Sequence, residues 1–395
     1  MVDRTIFEDR RRWLEVTTPF YYYDVDLLKL TVATAKKEAD KRGYILHYAL
    51  KANANPRLLK IIFGAGFGAD CVSGNEIFRA LEYGAKPDSI NFAGVGKSDI
   101  EIKIGLYNHI SVFNCESIPE IENINLLAKL KGKAYNIGIR INPDVDAKTH
   151  EYISTGKKEN KFGIPAWDFD QVIEKLKMLK YLRFTSLHFH IGSQITDMNV
   201  FAELCQRVNT FNQWFKDQGF ELEHINVGGG LGVDYQTPYN NPVPDFATYF
   251  SVFEKNLKLF PGQKLHFEPG RSIVAQCGSL VTRTLYVKEG RTKDFVIVDA
   301  GMTDLIRPAL YQAYHYIENL SSEGPEKVYD VVGPICESSD CFGKDVRLPE
   351  TKRGNFIALH SAGAYGEVMA SQYNLRELPK TIFSDEITKS EMFER

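Results

Sequence analysis

Four short clusters in this 395-residue chain carry residue types that can do chemistry. In Tyr48-Ala-Leu-Lys51-Ala-Asn53 a lysine follows an apolar, β-rich run. A lysine held in such surroundings loses its proton more easily and can act as an amine nucleophile. A lysine at a strand end can equally reach solvent. In His188-Phe-His190-Ile-Gly-Ser193-Gln194 two histidines stand two apart, on the same side of a strand. That pattern serves metal-dependent hydrolysis only where further His, Cys or carboxylate ligands converge. The sequence clusters none convincingly, so no metal is expected, and a stacking or structural role for one histidine and a core role for the other fit better. Gly228-Gly229-Gly230 lets backbone N–H groups approach an anion closely. Glu268-Pro269-Gly270-Arg271 offers a carboxylate for a heterocyclic nitrogen, or for Arg271, and a guanidinium fork for an anion.

The elements that position these clusters are legible as alternation. From 25 to 271 short β-rich runs alternate with longer amphipathic stretches, the pattern of repeated βα units around a parallel sheet. Eight strands are expected, at 44–50, 68–72, 90–93, 110–114, 136–142, 184–190, 223–227 and 265–268. Leu58, Leu59, Ile61 and Ile62 recur at helical spacing in one intervening stretch, and Val172, Ile173, Leu176 and Leu179 in another. A helix at 26–42 precedes the first strand and none is expected after the eighth, a rotated start to the same circular pattern. The expected fold is a TIM-type (β/α)8 barrel. In such barrels chemistry gathers at the C-terminal ends of the strands, and phosphate commonly binds after strands seven and eight. The four clusters end strands one, six, seven and eight.

After Arg271 the texture changes to strand-like runs at 279–287, 295–299, 328–332 and 356–360, without long helices. This predicts a second, mostly β domain, sandwich- or barrel-like, and the strand-like 19–23 run is free to pair with it. The expected domains are a barrel at 25–271 and a β domain made of 1–24 with 272–395.

Composition narrows the partners. The formal net charge is −3, with 48 Lys and Arg against 51 Asp and Glu and no basic block, which argues against nucleic acid and for a small molecule. Residues 1–13 lack the apolar run of a signal peptide, and no segment reaches about 18 uninterrupted apolar residues. The six cysteines, Cys71, Cys115, Cys205, Cys277, Cys336 and Cys341, form no C-x-x-C pair. A cytosolic protein with reduced thiols and no membrane association is expected.

Taken in order, these segments resemble the pyridoxal-phosphate (PLP) dependent decarboxylases of the alanine-racemase fold type, and within them the diaminopimelate decarboxylases. The likeness runs from Thr18-Pro19 to Tyr373-Asn374. Besides the Lys51, Gly228 and Glu268 segments, it is carried by His190-Ile-Gly-Ser-Gln194, Arg307-Pro308 with Tyr311, Gly333-Pro-Ile-Cys-Glu-Ser338 and Ala362-Gly-Ala-Tyr365.

The resemblance implies that Lys51 carries PLP covalently, His190 lies against its ring and Glu268 pairs with the pyridine nitrogen. Gly228, Gly229, Gly230, Ser193, Pro269, Gly270 and Arg271 would surround the phosphate region, with Tyr365 closing it. Cys336 would donate the proton that replaces the lost carboxylate, although a lone cysteine is more often an inert, buried thiol. Arg271, Arg307, Tyr311, Glu337 and Tyr365 would hold the substrate. The implied reaction converts meso-diaminopimelate to L-lysine and carbon dioxide, the final step of lysine biosynthesis. It would take place in a cytosolic homodimer whose sites each take Cys336 and Glu337 from the partner chain. The segment 154–163 resembles a mobile loop over the site. Alternatives are decarboxylation of ornithine, lysine or arginine, racemisation on the same barrel, and a catalytically silent regulatory homologue. The Cys336-Glu337-Ser338 segment disfavours the racemase, and the presence of Lys51 and Cys336 disfavours the silent homologue.

Overall fold

The computed structural model describes residues 16–143, 145 and 161–387. The chain divides into two compact units, one of residues 32–232 and 245–270, the other of residues up to 31, 233–244 and those from 271 onward. A strand, β1 (Phe20–Tyr23), and a helix, α1 (Val25–Asp40), come first.

In the first unit eight parallel strands close into a barrel in sequence order, as expected. They are β2 (Ile45–Ala49), β3 (Gly68–Cys71), β4 (Ile90–Phe92), β5 (Val112–Cys115), β6 (Tyr135–Ile141), β7 (Leu182–Phe189), β8 (His224–Asn226) and β9 (Lys264–Phe267). Closure is made by β9 returning to β2, with Ile45 opposite His266 and Leu46 opposite Phe267.

The helices between strands start where the local chemistry says they should. Asn55 accepts from the Arg57 N–H, ahead of Pro56, to open α2 (Pro56–Gly64). Ser73 accepts from Glu76 N–H to open α3 (Gly74–Glu82), and Ser98 with Glu101 forms a capping box on α4 (Asp99–Tyr107). Leu58, Leu59, Ile62 and Phe63 are the buried face of α2, while Ile61 is half-buried. In the helix Phe169–Met178 the buried residues are Phe169, Val172 and Ile173, with Leu176 and Leu179 at the margin. Polar side chains inside the barrel find one another: His47, His266 and His224 form a chain with nitrogen separations of 2.9 Å at both links. Among the described residues no helix is long and apolar enough to cross a membrane.

The second unit is mostly β. Its strands are β10 (Gly278–Lys288), β11 (Asp294–Val298), β12 (Ile317–Asn319), β13 (Glu326–Val332), β14 (Cys341–Pro349), β15 (Phe356–Leu359) and β16 (Lys380–Phe383). They run in the order β12-β15-β10-β11-β13-β14. The 19–23 run does join this domain: β1 lies antiparallel to β10 and parallel to β16. Phe20 and Tyr22 pack with Val281, Leu320, Phe356 and Ala358 in its core. The strands β12, β14 and β16 are additional to those the sequence pattern suggests. After the eighth barrel strand there is a single helical turn, Arg271–Val274.

Candidate active site

Within the barrel unit, charged groups collect at the C-terminal ends of the strands. Lys51 is exposed in a helical turn, Leu50–Ala52, directly after β2. The Tyr48 hydroxyl donates to Asn53 O at 2.9 Å, and Asn53 Oδ1 accepts from Asn55 N–H at 2.9 Å, which braces that turn. Glu268 follows β9 and is buried. Its Oε2 lies 2.9 Å from His188 Nε2 and its Oε1 accepts from Asn226 Nδ2 at 2.6 Å. His188 and Asn226 stand opposite each other in the β7–β8 register, so three neighbouring strand ends fix one carboxylate. Burial alone would raise the Glu268 pKa, but the adjacent His188, its hydrogen bond, His47 and Lys51 together hold it below the usual carboxylate range. Asp70, buried on β3, behaves oppositely: burial first, then the Glu268 charge, push its pKa well up. Its Oδ1 has no hydrogen-bond partner. The same surroundings thus push the two carboxyls in opposite directions.

His190, just after β7, accepts from the Gly229 N–H at Nδ1 over 3.3 Å. Burial, then Lys51 and Arg140, drive its pKa well below the ordinary imidazole value, so the ring is neutral. The glycines answer a close approach of backbones. A Cβ on Gly228, whose φ is +70°, would come within 2.3 Å of Phe189 O, and one on Gly229 within 2.3 Å of Glu268 O. Gly270 lies against Ala49 and Ala52, and Pro269 O accepts from the Ala49 N–H at 3.2 Å. Gly230 O accepts from Ile195 N–H at 2.9 Å, which ties the glycine run to the segment carrying half-buried Ser193.

The second unit gathers a different set. Arg271 and Arg307 are both buried. Arg271 Nη1 donates to the Tyr235 hydroxyl at 2.6 Å, and its guanidinium stands 4.9 Å from the centre of the Tyr365 ring. Tyr311 also acts on Arg271 electrostatically. Arg307 lies 5.0 Å from the Tyr235 ring centre and meets His315 Nε2 through Nη1 at 2.8 Å, while its Nε has no hydrogen-bond partner. Burial would raise the Tyr235 pKa, but Arg271 and Arg307 bring it below the ordinary phenol value. Elsewhere in this unit Cys336 and Glu337 are exposed. The Cys336 N–H donates to Asn374 Oδ1 at 3.4 Å and Glu337 accepts from the Tyr373 hydroxyl at 2.9 Å.

The candidate residues therefore fall into three groups: Lys51, His190, Glu268 and the glycines in the barrel unit; Arg271, Arg307, Tyr311 and Tyr365 in the β unit; and the exposed Cys336–Glu337 pair. His188 is more than a core histidine, since it pairs with Glu268. Glu268 takes His188 and Asn226 as its partners, where the sequence left Arg271 open. Sequence reasoning passed over Asp70, Asn226, Tyr235 and His315. An acid inside the otherwise apolar Gly68-Ala-Asp-Cys71 run was the available signal for the first. Of the segment 154–163, residues 154–160 lie outside the described ones.

This donor set fits PLP. A buried carboxylate kept ionised suits a protonated pyridine nitrogen, a neutral imidazole suits the face of a ring, and the glycine-lined strand ends leave no side chains of their own at that point.

Comparison with known proteins agrees. The model of the pyridoxal-binding domain of pyridoxal-dependent decarboxylases matches residues 27–275. The diaminopimelate decarboxylase of Bacteroides thetaiotaomicron is 57% identical over 96% of this chain and 98% of the relative. That of Helicobacter pylori strain J99 is 45% identical over 91% of this chain and 88% of the relative. A crystal structure of the Helicobacter pylori enzyme complexed with L-lysine superposes with a TM-score of 0.89 at 42% identity, covering 95% of this chain and 93% of that one. The lysine/ornithine decarboxylase of Vibrio vulnificus, at 21% identity and a TM-score of 0.83 over 97% of this chain and 99% of that one, shares the fold. With its closed barrel, mostly β second unit and strand-end lysine and carboxylate, the chain belongs to the diaminopimelate decarboxylases, a family of PLP-dependent enzymes.

Proposed function

We propose that this enzyme decarboxylates meso-diaminopimelate to L-lysine and carbon dioxide, the last step of lysine biosynthesis, as a cytosolic homodimer. The observation that carries the substrate is Arg307, a buried guanidinium with an unpartnered Nε that meets an imidazole where a carboxylate would neutralise it. Diaminopimelate brings a carboxylate as well as an ammonium at its far end, whereas lysine and ornithine bring only the ammonium. A buried cation waiting for an anion favours the first substrate.

PLP, when bound, supplies the electron sink that accepts the pair left behind as carbon dioxide departs. Lys51 would hold it covalently, Glu268 would keep its ring nitrogen protonated, and neutral His190 would serve the face of its ring. Gly228 to Gly230, Ser193, Pro269, Gly270 and Arg271 would hold its phosphate, with Tyr365, whose ring lies beside Arg271, closing that region. Arg307 and Tyr311 hold the far carboxylate and Glu337 the far ammonium. Cys336 delivers a proton to the carbon that has lost its carboxylate, on one face only. Its exposure and that of Glu337, which accepts from the Tyr373 hydroxyl, suit residues that work in a partner's site.

Carbon dioxide release measured side by side on meso-diaminopimelate, lysine, ornithine and arginine tests the assignment. Turnover of diaminopimelate alone is expected, and equal turnover of lysine would defeat it.

A further inference from the structure

We infer that His315 is a positioning residue for the substrate's far carboxylate, a neutral acceptor that aims Arg307 without cancelling its charge. This rests on Arg307 being the clamp for that carboxylate.

The local chain explains the pairing. Arg307 opens a short helix, Arg307–Tyr311, which ends at Gln312 with φ +52°, and the Ala313 N–H returns to Arg307 O at 3.3 Å. The reversal brings His315 back onto the guanidinium that precedes it. His315 is 1% exposed, and both of its ring nitrogens are engaged. Nδ1 lies 2.8 Å from His360 O, and Nε2 lies 2.8 Å from Arg307 Nη1.

Those two partners dictate the proton's place. A backbone carbonyl can only accept, so Nδ1 carries the hydrogen. A guanidinium can only donate, so Nε2 presents its lone pair. An imidazolium has no lone pair left at Nε2 and would set two cations in contact. Burial, then the Arg307 charge, bring the His315 pKa down to about 3, in keeping with a ring neutral at any working pH. The Tyr235 ring stands edge-on at 5.2 Å from the imidazole, so its plane is fixed as well.

A carboxylate at this place would orient Arg307 equally well but neutralise it. The imidazole satisfies one N–H and leaves the full charge, and the Nε–H, for an anionic ligand. Choice of a neutral acceptor is therefore what keeps this arginine a binding group.

The test compares His315→Gln with His315→Glu in the PLP-loaded enzyme. Both place an oxygen acceptor at similar reach, and only the second adds negative charge. KM and kcat for meso-diaminopimelate are read together with calorimetric binding of L-lysine, which retains the far carboxylate, and of 1,5-diaminopentane, which has none. His315→Glu should raise KM and weaken L-lysine on the order of tenfold or more relative to His315→Gln. Binding of 1,5-diaminopentane and kcat should differ little between the two. Equal L-lysine affinity in the two variants overturns the inference. If Arg307→Ala leaves KM for diaminopimelate unchanged, the clamp itself is misassigned. If Arg307→Ala weakens it while the two His315 variants match, only the role of His315 falls. Nitrogen NMR of the unmodified enzyme needs no tolerated substitution: His315 must appear neutral, with its proton on Nδ1, from about pH 6 to 8. An imidazolium or an Nε2–H signal there overturns it equally.

Discussion

Glu268 and Arg307 are both buried charges, and their surroundings treat them in opposite ways. Glu268 has a donor on each carboxylate oxygen, from His188 and Asn226, and further positive charge from Lys51. Arg307 has an imidazole, an aromatic face and an unpartnered Nε, and no ion pair among the described residues. A matched buried charge is rigid and keeps its ionisation, which suits an electrostatic element that must be in place before substrate arrives. An unmatched one carries a desolvation cost that a ligand of opposite sign relieves. On the proposed assignment the barrel end serves chemistry and the arginine cluster recognition, and substitutions should divide accordingly between kcat and KM.

The largest effect is expected at Lys51. Lys51→Ala should abolish both decarboxylation and the visible absorbance of covalently held PLP, and a variant that keeps either would show that another amine does the work. Cys336→Ala should be similarly inactive, and mixing the two inactive dimers sharpens the comparison. If each site combines Lys51 of one chain with Cys336 of the other, random reassociation makes about half the dimers mixed, with one of their two sites intact. Activity then recovers to about a quarter of wild type. Verified subunit exchange without recovery would confine each site to one chain.

Next in size is Arg307→Ala. Loss of a charge-assisted contact of roughly 1.5–3 kcal/mol should raise KM for diaminopimelate by about 10- to 150-fold with a smaller change in kcat. A fall in kcat at constant KM would place Arg307 among the chemical groups and break the division.

The smallest effect is a matter of stability. Asp70 has a raised native pKa, so relative to the unfolded chain it favours the native state below about pH 4 and loses that contribution as pH climbs through the native value. Asp70→Asn, which cannot ionise, should raise the melting temperature of the PLP-free protein at neutral pH and change it little at acid pH. A variant less stable than wild type at neutral pH would mean that the Asp70 charge is compensated.

The barrel was legible because its strands alternate with amphipathic helices whose caps, Asn55, Ser73 and Ser98, are themselves local signals. The β unit was less so. On β14 Lys344, Asp345 and Arg347 are all exposed, so the apolar pattern that marks a strand is diluted there. Linear clusters such as Glu268 to Arg271 stood out because their members are consecutive. Asn226 and His315 did not, because each acquires meaning only from a partner on another strand or beyond a turn, and Asp70 offered no more than its charge within an apolar run. Tyr235 was doubly hidden. It belongs to the 233–244 segment, which is numbered among barrel residues yet packs with the β unit.

The position of β1 has a consequence in time. It is the first strand described in the chain, and its two neighbours are β10 and β16, the latter the last. Every barrel strand except β2 finds its preceding neighbour already made as the ribosome moves forward, so that unit can assemble as it emerges. The tyrosine-rich β1 has to wait with both edges unpaired until β10 has been made, and with one edge unpaired until β16 follows. The β unit is thus finished only once β16 has been made, and the interval before then is when a chaperone has most to protect.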